Sequence, residues 1–316
     1  MIEDGLFSVN CGNAENLRAI SVDAAKLCEK RLLELREVAE GLSSIAIELM
    51  SEGLSPLEAV SSVGEPDSPV YESHPFCLPE NLHGVESFLS CVSDFDKAAL
   101  CMLLPEALAE GGRTIRETDL LDCAPSEETV CYVRNAFSDE AFDVFSEGFS
   151  DPRVKYRASF KECSSAVSDG LCGYLLLPLE ERGGVRLPSV TEVLIRNDFK
   201  INAITPVFGL SLDADLKYAL ASKRFTVPEV NEGDDLYLEL RLEKKSSLGS
   251  LMSALELFGH SVFRLNTVSV DMDGVPTDYF GIVLKDDGGR GFTALLLYLI
   301  LFGEDYVTVG IYKNLE

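Results

Sequence analysis

Glu180 and Glu181 stand side by side after Pro178-Leu179 at the end of an apolar run. Two carboxyl groups in different surroundings can divide acid and base roles between them, but neighbours at a strand end project to opposite sides, which equally describes a surface pair. Lys223 and Arg224 could hold an anion, the guanidinium bidentately, or serve as edge-strand charges paired with acidic neighbours. Ser138 opens a helical stretch, where a hydroxyl and free backbone amides suit a bound carboxylate or cap the helix. Gly249 permits a small ligand to approach the backbone closely, or only eases the turn into a helix. Asp271, Asp273 and Asp278 surround a Gly-Val-Pro turn without the spacing or terminal glutamate of an EF-hand loop, so a hairpin turn accounts for them.

The remaining reactive residue types exclude more than they suggest. His74, His83 and His260 have no metal-ligand spacing with one another or with cysteine, so neither a metal site nor a cofactor is expected. Nine cysteines, an odd count without a Cys-x-x-Cys pair, and an opening MIEDGLFSVN that lacks a basic and apolar leader point to free thiols in a reducing cytoplasm. Against 53 acidic side chains stand 27 basic ones, and a formal net charge of −26 repels nucleic acid and anionic membrane surfaces.

The elements that must position these residues follow from periodicity. Leu17, Ile20, Ala24, Leu27, Leu35, Val38, Leu42, Ile45 and Leu49 recur at threes and fours, interrupted at Arg31, and define a long amphipathic helix. A short helix starts at Pro56, the Pro-rich stretch 64–81 is extended chain, and 85–92 and 96–110 read as helices before Gly111 and Gly112. From Val130 strands alternate with helices. Strands are expected at 130–134, 154–159, 174–179, 200–207 and 224–228, with helices at 138–149, 160–169 and 189–196, giving a parallel-dominated sheet. The tail follows acidic VNEGDD as strand 236–243, helix 248–258, strands 262–270 and 279–285, helix 291–302 and strand 306–312, a ferredoxin-like βαββαβ order. Leu236, Leu238, Leu240 and Leu242 alternate with Tyr237, Glu239, Arg241 and Glu243, so one face of that strand is apolar and the other wet. The apolar run 293–302 is about half of the ~20 residues a bilayer requires, and reads as a buried helix. The class is therefore α/β, in three segments: a mostly helical 1–125, an α/β lobe 126–230 and a ferredoxin-like 231–316.

The stretch SFKECSSAVSDGLCGYLLLPLEERGGVRLPSVTEVLIRNDFKI, with Pro178-Leu179-Glu180-Glu181 at a Pro-Ile-Glu-Asn position, resembles the prephenate dehydratase family. CYVRNAFSDEAFDVF is similar to that family's first strand and Gly-rich loop, and the βαββαβ tail to its ACT domain. The resemblance implies a Rossmann-like lobe, phenylalanine binding in the tail, and a homodimer built through it. It also implies ligand contacts at Asn135, Ser138, Glu180, Glu181, Lys223, Arg224, Gly249, Ser250 and Leu251.

The family's chemistry is not reproduced. The loop is shortened to Arg134-Asn135-Ala136-Phe137-Ser138, Lys223-Arg224-Phe225 replaces Thr-Arg-Phe, and Asn266-Thr267-Val268-Ser269 replaces Glu-Ser-Arg-Pro. Glu181 replaces an asparagine and would repel a dicarboxylate, and fewer than twenty residues stand where a second lobe would close the cleft. VYESHPFCLPE, which carries a Tyr-x-Ser-His-Pro-like element, lies on the wrong side of the lobe. The expectation is a non-catalytic relative that binds a small amino acid or aromatic metabolite. An active dehydratase would have to use Ser222 or Ser138, with Arg224, in place of the lost threonine. A protein-interaction scaffold is the third reading.

Overall fold

The computed structural model describes residues 4–64, 92–123, 127–181, 184–208, 216–229, 234–244, 248–287, 291–303 and 305–315, with 4–24 as backbone only. The stretch 65–91, with all but the last residue of the expected helix 85–92 and with the His-Pro element, and residues 230–233 of the VNEGDD segment lie outside the described residues.

Helix α1 (Asp4–Glu52) follows the expected periodicity from Leu35 on, where Leu35, Val38, Leu42, Ile45 and Leu49 are buried, whereas Leu27, expected on the same stripe, is exposed. It packs with α2 (Pro56–Gly64) and α3 (Asp94–Glu110), whose first turn is capped by Ser93. Arg31, which breaks the apolar stripe, grips Asp96 of α3 through two nitrogens at 3.2 and 3.0 Å. A single turn, α4 (Glu117–Leu120), leads toward the sheet.

The lobe comprises β1 (Thr129–Tyr132), α5 (Ala136–Ser146), β2 (Arg153–Tyr156), α6 (Phe160–Ser168), β3 (Tyr174–Glu181), β4 (Val185–Arg186), α7 (Pro188–Arg196), β5 (Lys200–Val207) and β6 (Leu216–Ser222). The tail comprises β7 (Leu236–Glu243), α8 (Gly249–Phe258), β8 (His260–Met272), β9 (Val275–Asp286), α9 (Thr293–Phe302) and β10 (Tyr306–Lys313). All the strands join one mixed ten-stranded sheet in the order β2-β1-β3-β6-β5-β10-β7-β9-β8, with β4 paired to β3. Strands β2, β1 and β3 are parallel, as expected, but β6 enters antiparallel between β3 and β5. Within the tail, β10-β7-β9-β8 is the fourth-first-third-second order of a ferredoxin-like unit.

Alternation divides the central strands β3 and β7 between two cores each. In β3, Leu175, Leu177 and Leu179 enter the core under α6 and α7, while Tyr174 and Leu176 enter the core under α5. In β7, Leu236, Leu238 and Leu240 face α8 and α9 in a core shared with α1, α2 and α3, and Tyr237 faces the α7 side. No helix among the described residues is long and apolar enough to cross a membrane. The hairpin β8–β9 turns at Asp273 and Gly274, both at positive φ (58° and 86°), with Asp271 accepting the Gly274 amide.

One expected strand is displaced. The segment 224–228 is irregular, with a single isolated bridge from Phe225 to Cys123, and the strand lies earlier, at β6. The apolar alternation of Tyr218, Leu220 and their alanine neighbours supplies that strand, both faces being buried.

Candidate functional site

Asn135 is the N-cap of α5: its Oδ1 accepts the Phe137 and Ser138 amides, both at 3.0 Å. Ser138 is the helix's third residue rather than its opener. Its buried hydroxyl accepts the Asn135 amide at 2.8 Å and lies 2.9 Å from the Val133 carbonyl, so this helix start is closed by its own capping box. Ser222 is fully buried, with its hydroxyl donating to the Arg224 carbonyl at 2.6 Å and accepting from Asn202 at 2.7 Å. The Lys223 ammonium donates to the Asn197 carbonyl and lies over the Phe199 ring, and Arg224 pairs with Asp122 at the surface.

Because β6 runs antiparallel to β3, Ala221 stands opposite Leu175 and Lys217 opposite Glu180. Lys223 and Arg224 therefore sit at the far end of β3 from Glu180. Gly249, Ser250 and Leu251 start α8 on the face that carries the other core, and Leu251 is wholly buried there. The residues expected to form a site are thus not brought together.

Glu180 is brought into a different constellation. The expected surface role holds for exposed Glu181 but not for Glu180, which is 2% exposed. The β3–β6 register shifts between Pro178 and Glu180, and β4 folds back so that Arg186 stands opposite Glu180. Arg186 Nε lies 3.2 Å from Glu180 Oε1, and its Nη2 donates to Glu239 Oε2 of β7 at 2.5 Å. The Tyr312 hydroxyl donates to the same Glu239 oxygen at 3.0 Å, and Arg264 of β8 approaches Glu180 Oε2 to 2.5 Å. Gly184, at φ +76°, makes the β3–β4 turn, and a Cβ there would stand 3.1 Å from the Arg264 guanidinium. Burial acts to lower the Arg186 pKa, but Glu239, Tyr312 and Glu180 outweigh it and raise it, while burial and Glu239 push Tyr312 well above its usual value.

Beside this cluster a cleft opens between α7 and the ferredoxin-like sheet. Thr191, Leu194 and Ile195 form its helix side, and Glu239, Arg241, Asn266 and Gly281 are among the residues on its sheet side. Its cavity volume is about 30 Å³, so it is a narrow slot. Arg241, Gly281 and Asn266 stand in register across β7, β9 and β8. A Cβ built on Gly281 would meet nothing within 4 Å, so the glycine leaves the slot open. Half-buried Arg241 lies 5.7 Å from the Tyr279 ring centroid, burial lowers its pKa, and among the described residues no carboxylate stands within ion-pair distance of it.

Of the cleft and cluster, sequence reasoning singled out Glu180 alone as a site residue. The missed signal was the charged row Glu239-Arg241 on β7, read as a wet face. It lies instead on a strand flanked by β10 and β9 and covered by a helix of the lobe.

The sequence matches no protein-family model and no curated protein sequence. Among solved structures, the chain is similar to a prephenate dehydratase from Streptococcus mutans, at 12% identity and a TM-score of 0.47 over 60% of this chain and 99% of that one. It is also similar to GqqA, described as a novel type of quorum-quenching acylase, at 19% identity and 0.43 over 59% and 95%. A third is a prephenate dehydratase from Arthrobacter aurescens in complex with L-Phe, at 13% and 0.41 over 58% and 89%.

Proposed function

We propose that this chain is a non-catalytic, prephenate-dehydratase-like protein that binds a small amino acid or aromatic metabolite in a regulatory role. The observation that carries this reading is the open slot over Gly281, roofed by a helix of the lobe. Protein interiors are close-packed, and a space left at the junction of two units is the usual form of a ligand site. Against catalysis stands the use already made of the candidate groups. Both serine hydroxyls are engaged with backbone or amide partners, and Arg224 pairs with Asp122 at the opposite end of β3.

The test is thermal unfolding with and without phenylalanine, tyrosine, tryptophan and prephenate. A ligand specific to the native state stabilises by RT ln(1 + [L]/Kd), about 2.7 kcal/mol at a hundredfold excess over Kd. A raised midpoint with at least one of these, and no phenylpyruvate released from prephenate, is the expected result. No shift with any of them overturns the binding reading. Phenylpyruvate release that Ser222→Ala abolishes would restore the dehydratase.

The same reading makes the protein a homodimer through its ferredoxin-like unit, where β8 is a sheet edge bearing half-exposed Phe263 and Leu265. Light scattering is expected to give twice the 34.5 kDa chain mass, and a monomer at micromolar concentration refutes it.

A further inference from the structure

We infer that the cleft selects a monocarboxylate carrying one compact apolar or aromatic group, its carboxylate on Arg241 and its apolar group in the slot over Gly281. The inference rests on the binding reading above and adds the chemical class and the anchor. It starts from charge. In the inner cluster two guanidiniums, Arg186 and Arg264, face two carboxylates, Glu180 and Glu239, at 2.5 to 3.2 Å, so each of these arginines already has a carboxylate partner. Arg241 makes none of these ion pairs. It is half-buried on the same sheet face and beside the Tyr279 ring, and burial disfavours its charged form more than Tyr279, Asp198 and Glu239, the carboxylates beyond ion-pair distance, favour it. A cation partly stripped of water is stabilised by one incoming anion, and a planar guanidinium accommodates a carboxylate bidentately. Asn266, two strands away across the side-chain-free Gly281, offers an amide to the same end of the ligand.

The rest of the slot sets the remaining selectivity. Leu194, Ile195, Val268 and Val283 offer only apolar surface, and the narrowness of the space favours a flat or slender group. A second carboxylate on the ligand would meet either that surface or Glu239, which is already held by Arg186 and Tyr312. Dicarboxylates are therefore rejected by like charge and because Arg186, the other cation among the described residues lining the slot, is already paired.

Titration calorimetry on the full-length chain tests this with a matched series: 3-phenylpropanoate, phenylalanine and benzylsuccinate. The wild type is expected to bind one or both monocarboxylates at least tenfold more tightly than benzylsuccinate. Comparison of the first two tells whether an ammonium group is tolerated. Arg241→Gln and Gly281→Val are each expected to weaken that binding at least tenfold. Gly281→Val should leave the ligand-free unfolding midpoint unchanged or higher, because its side chain enters open space. Tighter binding of benzylsuccinate overturns the charge argument. Wild-type binding that survives both substitutions overturns the placement and leaves the binding reading standing, whereas no binding by the wild type of this series or of the aromatic amino acids overturns both. If Arg241→Gln fails to fold, Gly281→Val alone decides.

Discussion

Arg186 reaches from a two-residue strand of the lobe to carboxylates on β3 and β7, and all three side chains are nearly inaccessible. Ion pairs of this kind gain little over apolar residues of the same shape, but removing one partner strands a buried charge. Arg186→Met is expected to cost about 3–5 kcal/mol in urea unfolding, and a loss under about 1 kcal/mol would mean that water reaches the cluster. Tyr298 of α9 gives a separate, alkaline signature. Burial first, then the Asp94 charge, raises its pKa from 10.0 to about 12. A raised folded pKa means stability that is complete below pH 10 and lost as pH rises toward 12, because the unfolded chain ionises first. Wild type should lose about 2 kcal/mol more than Tyr298→Phe between pH 10 and pH 12, and equal losses in the two proteins would show that the phenol is not buried. Neither residue was legible as important in the sequence. An arginine between Gly-Gly-Val and Leu-Pro, or a tyrosine inside TALLLYLILF, carries no local sign of its partners, which lie across the sheet or in another helix.

Elements were far more legible, since hydrophobic period and turn residues are local. Strands β5 and β7 and the ends of α7 and α9 match the sequence expectation within a residue or two. The failures have physical reasons. The short run at 224–228 has strand-like composition, but Ser222 and Asn202 bind the backbone of Arg224 and Thr226 and hold that segment out of the ladder. Helix α9 shows a complementary case, in which a remote residue finishes what the local sequence leaves open. Its N-cap is Phe292, which has no capping side chain, and Glu117 of α4 supplies one: its Oε1 accepts the Phe292 amide at 2.9 Å and the Thr293 hydroxyl at 3.0 Å. Glu117→Ala is expected to cost about 1–2 kcal/mol, with Glu117→Gln recovering part of it, since both a hydrogen-bond acceptor and a negative charge favour a helix start. Equal stability of the alanine variant and wild type in thermal melts would sink this role.

The cleft owes its existence to how the whole molecule is assembled, because its two sides come from different segments of the chain. The lobe and the ferredoxin-like unit share one sheet through a narrow seam: Gly310 opposite Ile201, an isolated bridge from Ile204 to Asn314, and hydrogen bonds from Leu315 to Ile204 and from Thr205 to Leu315. The Arg186 cluster crosses the same junction. On the opposite face, α1, α2 and α3 share a core with α8 and α9, so the segment boundaries at 125 and 230 divide the sequence without dividing the packing. Such sharing predicts one cooperative thermal transition for the full chain rather than two. Gly310 is where the two strands of the seam approach most tightly against a glycine. A Cβ on Gly310 would stand 2.6 Å from the Ile201 carbonyl oxygen and 2.8 Å from its Cβ, so Gly310→Val must push β10 off β5. Because the cleft lies beside that junction, the substitution is expected to broaden or split the melt and to weaken ligand binding at the same time, although residue 310 does not line the slot. A Gly310→Val protein that melts in one sharp transition at the wild-type temperature would show that the seam does not couple the two units, and the cleft would then have to be held by α7 and the Arg186 cluster alone.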